Sequence, residues 1–201
     1  TPGSTSFDGS NDYLYVGGNG ARVAMADFGT GAYTIEFWMK TTKASQWIVF
    51  NAQQNTGVRI ALGNNAGGGA AGQIEINEQS NNGDQYTTAS GRVDDGVWHH
   101  IAFSRPNGGQ VKLFVDGTLK ATGVDSGRDL SAGNGVDAFL VGRRGSGGPY
   151  FDGEIFGLRV MKGQALYTSS FTVPTSALTT TSQGADASKV TLLCCQTDDV
   201  T

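Results

Sequence analysis

Charge, cysteine and long apolar runs are all scarce in this chain, and each shortage closes off a class of protein. Only 16% of its 201 residues are charged, for a net charge of -4 at neutral pH. Basic residues form no cluster beyond Arg143-Arg144. A protein that neutralises many phosphates needs such a footprint, so nucleic acid is not an expected partner. No run approaches the ~20 apolar residues of a membrane helix, and no membrane insertion is expected. The two cysteines, Cys194 and Cys195, are neighbours. Adjacent strand residues face opposite ways, and bridging them would close a strained small ring. Free thiols are therefore expected, one of them buried, with no metal motif. No useful length of chain shows a capped 3.6-residue apolar period, which reduces helix to a short turn near 163–168. The chain opens on Thr1 with no visible signal peptide and is read as processed, or as a piece of a longer protein.

What is abundant is turn chemistry. The 31 glycines, with many Asn, Ser and Thr, fall between short apolar runs, where turns need positive φ or side-chain hydrogen bonds. The runs recur at the spacing of a sandwich: 13–16, 33–41, 47–52, 58–63, 73–78, 86–89, 98–104, 111–115, 118–122, 138–141, 154–160 and 190–194. Loops with glycine at 17–20, 64–72 and 142–149 separate some of them. From Tyr33 to Thr41 the pattern alternates, with Ile35, Phe37 and Met39 on one face and Glu36, Trp38 and Lys40 on the other. Pro106-Asn-Gly-Gly109 reads as a hairpin turn, and Asp116-Gly117 as a two-residue turn of type I′. A hydrophobic content of 38% suits sheets that bury one face of most strands. No composition shift or internal repeat divides residues 1–201, which are read as one domain.

Five pieces of sequence, in order, resemble a known family. They are Phe7-Asp-Gly-Ser-Asn-Asp-Tyr13, Tyr33-Thr-Ile-Glu-Phe-Trp-Met-Lys40, Asp95-Gly-Val-Trp-His-His-Ile-Ala-Phe103, Leu113-Phe-Val-Asp-Gly117 with Leu140-Val-Gly142, and the closing segment from Phe151 to Phe171. Together they are similar to laminin-G-like jelly rolls of the concanavalin A-type lectin/glucanase superfamily. The resemblance implies an all-β, concanavalin A-like jelly-roll sandwich of two packed antiparallel sheets. Lys162-Gly-Gln-Ala-Leu-Tyr-Thr-Ser-Ser-Phe-Thr172 resembles segments of bacteriophage tail-fibre and other virion structural proteins. That likeness implies a non-catalytic virion structural or adhesion domain, of fibre, spike or capsid-decoration type. It would sit on a virion surface or outside the cell as a homo-oligomer, with other virion proteins or a host-surface glycan as partners. The alternative is a carbohydrate-binding or adhesion module of a secreted bacterial protein.

Candidate chemistry is thin. His99 and His100 are neighbours on a strand and cannot share one metal or substrate atom. In the family resembled, that segment is a core strand. Glucanases of the superfamily carry Glu-x-Asp-x-Glu on one strand face, where one carboxylate attacks and another works as acid and base. The same parity here holds Glu75, Asn77 and Gln79, and an amide cannot exchange a proton near neutral pH. Glu78 faces the other way, so no catalytic residue is expected and a glycoside hydrolase is disfavoured. Asp8, Asn11 and Asp12, and Asp94 with Asp95, invite a calcium reading, but close spacing does not supply ~6–8 converging oxygens. Relatives often carry Gly-x-Ile-Asp-Glu or Gly-x-Ile-Asp-Asp in the last long strand, where this chain has Gly153-Glu-Ile-Phe-Gly157. No metal or cofactor is expected.

Aromatic rings stack on sugars. Trp38 and Trp98 fall in strands that resemble the family core and are read as structural. Trp47, Tyr86 and Tyr150 lie where the resemblance thins or beside loops. The region from Ala44 to Val93 brings together Trp47, Gln53, Glu75, Asn77, Gln79 and Tyr86, a mix of rings and amides suited to neutral sugars. Those six form the candidate glycan face, against the plainer reading of a solvated strand face. The loop from Gly142 to Gly148 has no phosphate-binding spacing, and Arg143 and Arg144 are read as solvated.

Overall fold

A computed structural model describes residues 3–17, 24–53, 56–63, 69–80, 83–124, 126–131, 139–144 and 149–196, with the backbone alone at 49–53 and 56. The glycine-rich loops expected at 17–20, 64–72 and 142–149 lie largely outside these residues. Among the described residues the strands, in chain order, are β1 (Thr5–Asp8), β2 (Leu14–Val16), β3 (Tyr33–Lys40), β4 (Gln46–Gln53), β5 (Thr56–Leu62), β6 (Ile74–Ser80) and β7 (Gly83–Thr88). They continue with β8 (His99–Arg105), β9 (Lys112–Val115), β10 (Thr118–Thr122), β11 (Phe139–Val141), β12 (Asp152–Lys162) and β13 (Val190–Cys194). One antiparallel sheet runs β1-β12-β3-β8-β9-β10, with β13 also paired to β12, and the other runs β2-β11-β4-β5-β6-β7. No helix among the described residues is long and apolar enough to cross a membrane.

Alternation decides which face of each strand meets the other sheet. Tyr33, Ile35, Phe37 and Met39 of β3 join Ile60 of β5 and Ile74 and Ile76 of β6 in the main core, all fully buried. Each such side chain contributes roughly 1.5–3 kcal/mol by leaving water. The turn after β9 is as its residues require, with Asp116 at φ 49° and Gly117 at φ 72°. Glu78 also points inward. Its carboxylate accepts hydrogen bonds from Tyr33 Oη (2.8 Å) and Arg105 Nη1 (3.2 Å). Burial pushes the Glu78 carboxyl upward despite the nearby Arg105 charge.

The first sheet has a second covered face. A strap after β12 folds back over it, and Tyr167 stacks on Phe171 at 3.6 Å. With Ala102 and Phe114 these rings form a smaller apolar cluster. The helical turn expected near 163–168 is not present. The sheet's own hydroxyls hold that stretch open: Thr34 Oγ1 donates to the Gln164 carbonyl and accepts from Leu166 N–H, and Ser104 Oγ accepts from Tyr167 N–H. With those groups taken by side chains, no helical ladder forms.

Beneath the strap lies a buried ionic network. Glu36 Oε1 accepts from Arg159 Nε (2.9 Å) and Nη2 (2.5 Å), while Oε2 accepts from Tyr167 Oη (2.8 Å) and lies 3.2 Å from His100 Nε2. Strict alternation from Ile155 would send Arg159 into the main core. A bulge between Phe156 and Arg159, where Gly157 takes φ 61°, shifts the phase and turns the guanidinium outward onto Glu36. Burial raises the Glu36 pKa, but the His100 hydrogen bond and the Arg159 charge outweigh it, and the carboxyl titrates below its ordinary range.

Two readings of the sequence need correction. Trp38 and Trp98 are only partly buried and belong to neither apolar cluster, because they stand on the outer face of the first sheet beyond the part the rings cover. Cys194 and Cys195 are free, as expected, but do not face apart. Cys195 leaves the strand at φ 62°, which brings the two sulfurs to 3.3 Å with both side chains half-buried.

Candidate functional site

The outward face of β4–β7 is built in rows by strand register. Trp47, Ala61, Glu75 and Thr88 form one row, Arg59, Asn77 and Tyr86 the next, and Gly57, Gln79 and Asp84 the third. Period-2 alternation on β6 puts Glu75, Asn77 and Gln79 on this face and Glu78 on the other, as the sequence implied. Five of the six expected residues thus share one surface. Gln53 pairs with Thr56, in the alternate row, and its side chain lies outside the described residues.

Sharing a face does not make them accessible. Trp47 is 3% exposed, so it is not an open platform. The Arg144 guanidinium lies over its ring at 5.6 Å, and a Cβ on Gly69 would come within 3.2 Å of Glu75 Oε2. Loops therefore cover this end of the face. Arg143, half-buried, likewise lies over the Tyr13 ring at 4.1 Å, while Arg144 is exposed, as expected of a solvated arginine. Tyr86, at 39% exposed, is the open ring of the set.

Asp84 is the residue that sequence reading missed. It accepts from Tyr86 Oη (2.9 Å) and Asn77 Nδ2 (3.3 Å). Burial, and then the Asp84 hydrogen bond and charge, hold the Tyr86 phenol above its ordinary pKa. The signal was parity: with β7 starting at Gly83, Asp84, Tyr86 and Thr88 alternate onto one face. Arg59, missed as well, sits in the same row as Asn77, and burial lowers its pKa. Asn77 Oδ1 and Gln79 Oε1 are buried and accept no hydrogen bond from the described residues. Such an acceptor costs ~1–3 kcal/mol unless something donates to it.

The acidic candidates have local tasks. Asp8 Oδ1 accepts from the Ser10 and Asn11 amides, and Asp12 Oδ2 from the Asp8 amide. Asp94 pairs with Arg92. Among the described residues no three His, Cys, Asp or Glu side chains are grouped to hold a metal. His99 lies between Asp116 Oδ2 (2.7 Å) and Asp95 Oδ1 (3.1 Å). Burial lowers its pKa, but its hydrogen bonds to both carboxylates prevail and raise it above the ordinary histidine value. A raised histidine pKa stabilises the fold fully below the unfolded value, and that share is lost as pH rises through the folded value. Thermal melts should therefore show stability falling from pH 6 towards pH 8, with a flatter slope in His99→Gln. An unchanged slope in that variant would remove His99 as the source.

The comparisons with known proteins agree on the architecture. No curated protein sequence matches the chain. Among solved structures, mouse laminin α1 domains LG4-5 align at TM-score 0.61 and 16% identity, covering 87% of this chain and 47% of that one. A protein from Bacteroides ovatus provisionally assigned as carbohydrate binding aligns at 0.60 and 18%, covering 96% and 51%. The heptameric SAP-like pentraxin of Limulus polyphemus aligns at 0.51 and 17%, covering 80% and 76%. This chain spans about half the length of the first two, and at such identities the likeness shows the fold alone. A laminin-G-type family model matches residues 8–169, most of the sequence. The chain belongs to the concanavalin A-like lectin/glucanase superfamily.

Proposed function

We propose that residues 1–201 form one extracellular, non-catalytic carbohydrate-binding and adhesion domain. Its contact face is the part of the β4–β7 surface around Tyr86 and Asp84, with Asn77 and Gln79 buried in the rows beside them. The observation that carries this reading is the exposed Tyr86 ring, held in place by the hydrogen bond from its hydroxyl to the exposed Asp84 carboxylate. A pyranose C–H face would stack on Tyr86 while sugar hydroxyls donate to the Asp84 carboxylate at the edge of the ring. A screen of neutral glycans by calorimetry tests it. Tyr86→Ala should weaken binding roughly tenfold with the melting temperature unchanged, and undiminished binding in that variant would sink the proposal.

The non-catalytic reading rests on chemistry. A retaining glycosidase needs two carboxyl groups ~5–5.5 Å apart. On this face Glu75 is followed by amides, and Asp84 stands two rows further on, four residues or ~13 Å along the strand. Reducing ends released from a polysaccharide, and lost in Glu75→Gln, would overturn it. The virion setting, with assembly as a homo-oligomer, is supported by the resemblance of 162–172 alone. Co-fractionation of the full-length protein with particles tests that setting separately.

A further inference from the structure

On the outer face of the first sheet, away from the rows just described, lies a cavity of about 500 Å³. Trp38 and Trp98 line it, Phe156 closes one side, and residues 173–177 of the strap form a wall. Both indoles are partly exposed, whereas Phe156 and Pro174 are buried. The wall is pinned at each end. Phe171 N–H donates to the Gly117 carbonyl at 2.8 Å, and Leu178, 1% exposed, packs within 3.8 Å of where a Cβ on Gly157 would stand. Thr175, Ser176 and Ala177 between those anchors are small, so nothing from the strap fills the space. A bulkier residue at any of the three could have covered the indoles. The register shift after Phe156 also belongs here, since Phe156 pairs with Trp38 and lines the cavity just before the chain bulges at Gly157.

We infer that this cavity is a second ligand site, and that its ligand is a neutral pyranose carrying an acetamido group. The volume falls in the ~300–1,000 Å³ range of small-molecule sites, and the mix of apolar walls with a few polar groups is typical of them. Among the described residues no charged side chain lines the cavity, which selects against anions and cations. Indole faces accept the C–H face of a sugar ring. The acetamido methyl matches the Phe156 and Val173 surfaces, and its amide matches the Thr175 and Ser176 hydroxyls. At one ring position the acetamido group sets a methyl against those apolar walls where a plain hexose would set a hydroxyl, which costs free energy when buried unpaired. Because the strap is anchored at both ends, little ordering is needed on binding.

The test follows the three tryptophan indole N–H signals by NMR, assigned through Trp38→Phe and Trp98→Phe. The methyl glycosides of N-acetylglucosamine and of glucose, and p-cresol, are each titrated. The expected result is a saturable shift of the Trp38 and Trp98 signals, with Trp47 unmoved, for the N-acetylated sugar at a Kd on the order of 1 mM. Ala177→Trp, which fills the cavity from an exposed position, should weaken it at least roughly tenfold. Asn77→Ala and Tyr86→Ala should leave it unchanged, so this site and the β4–β7 face fail separately. Equal shifts with the glucoside, saturation by p-cresol in place of the sugars, or no saturable shift up to ~50 mM would each overturn the assignment.

Discussion

Replacing Arg159 with alanine is expected to cost about 3–5 kcal/mol of stability, because it strands Glu36 as an uncompensated buried charge. Both side chains are fully buried, so water cannot take the place of the guanidinium. The loss spreads beyond one pair. Arg159 Nη1 also donates to the Thr179 and Ser182 carbonyls and to Ser182 Oγ, so the same deletion frees the far end of the strap. For a chain of this size the melting temperature should fall by roughly 10 °C. A double replacement, Glu36→Leu with Arg159→Met, removes both charges and should recover the share due to the stranded carboxylate, but not the share due to the Thr179 and Ser182 carbonyls and Tyr167 Oη, which stay without their partners. Thermal denaturation of the two variants decides the matter. A single variant that melts with the parent would show that the network contributes nothing.

The second large effect concerns Trp47. Cutting a covered tryptophan back to alanine removes its packing and opens a cavity, for an expected loss of ~3–5 kcal/mol. Arg144→Ala, which removes only the overlying cation, should cost about 0.5–1 kcal/mol. Neither substitution touches Tyr86, so glycan binding measured well below the melting temperature should persist in both. The opposite outcome, full stability with lost binding in Trp47→Ala, would restore Trp47 as a stacking platform and move the contact face to its row.

Much of this molecule was legible before folding. Every strand but β1 followed from local rules, among them alternation in Tyr33–Thr41, glycine between the runs, and the positive φ that Asp116-Gly117 supplies; β1 was reached only through the resemblance of Phe7–Tyr13 to a first strand. The inward or outward sense of Glu75, Asn77, Gln79 and Glu78 needed only the two-residue period of β6. The candidate face was chosen where the resemblance thins, between Ala44 and Val93, and five of its six residues share a surface because that parity continues across hydrogen-bonded neighbours. Asp84 was missed because the start of β7 was set at Tyr86, three residues late.

The sequence by itself determined the sheets, the main core and the composition of the outward rows, since these rest on periodicity and turn chemistry that act between near neighbours. The tertiary structure alone decided accessibility. Trp47 reads as an exposed platform until Arg144 and the chain around Gly69 cover it. Trp38 and Trp98 read as structural until the strap proves to leave a space over them. Arg159 reads as inward until the bulge at Gly157 reverses the phase of β12. Each reversal arises where a distant segment, or one residue added to a ladder, changes which side of a strand is covered. Burial is a property of what comes to lie against a residue, and for these side chains that partner is up to 123 positions away in the chain.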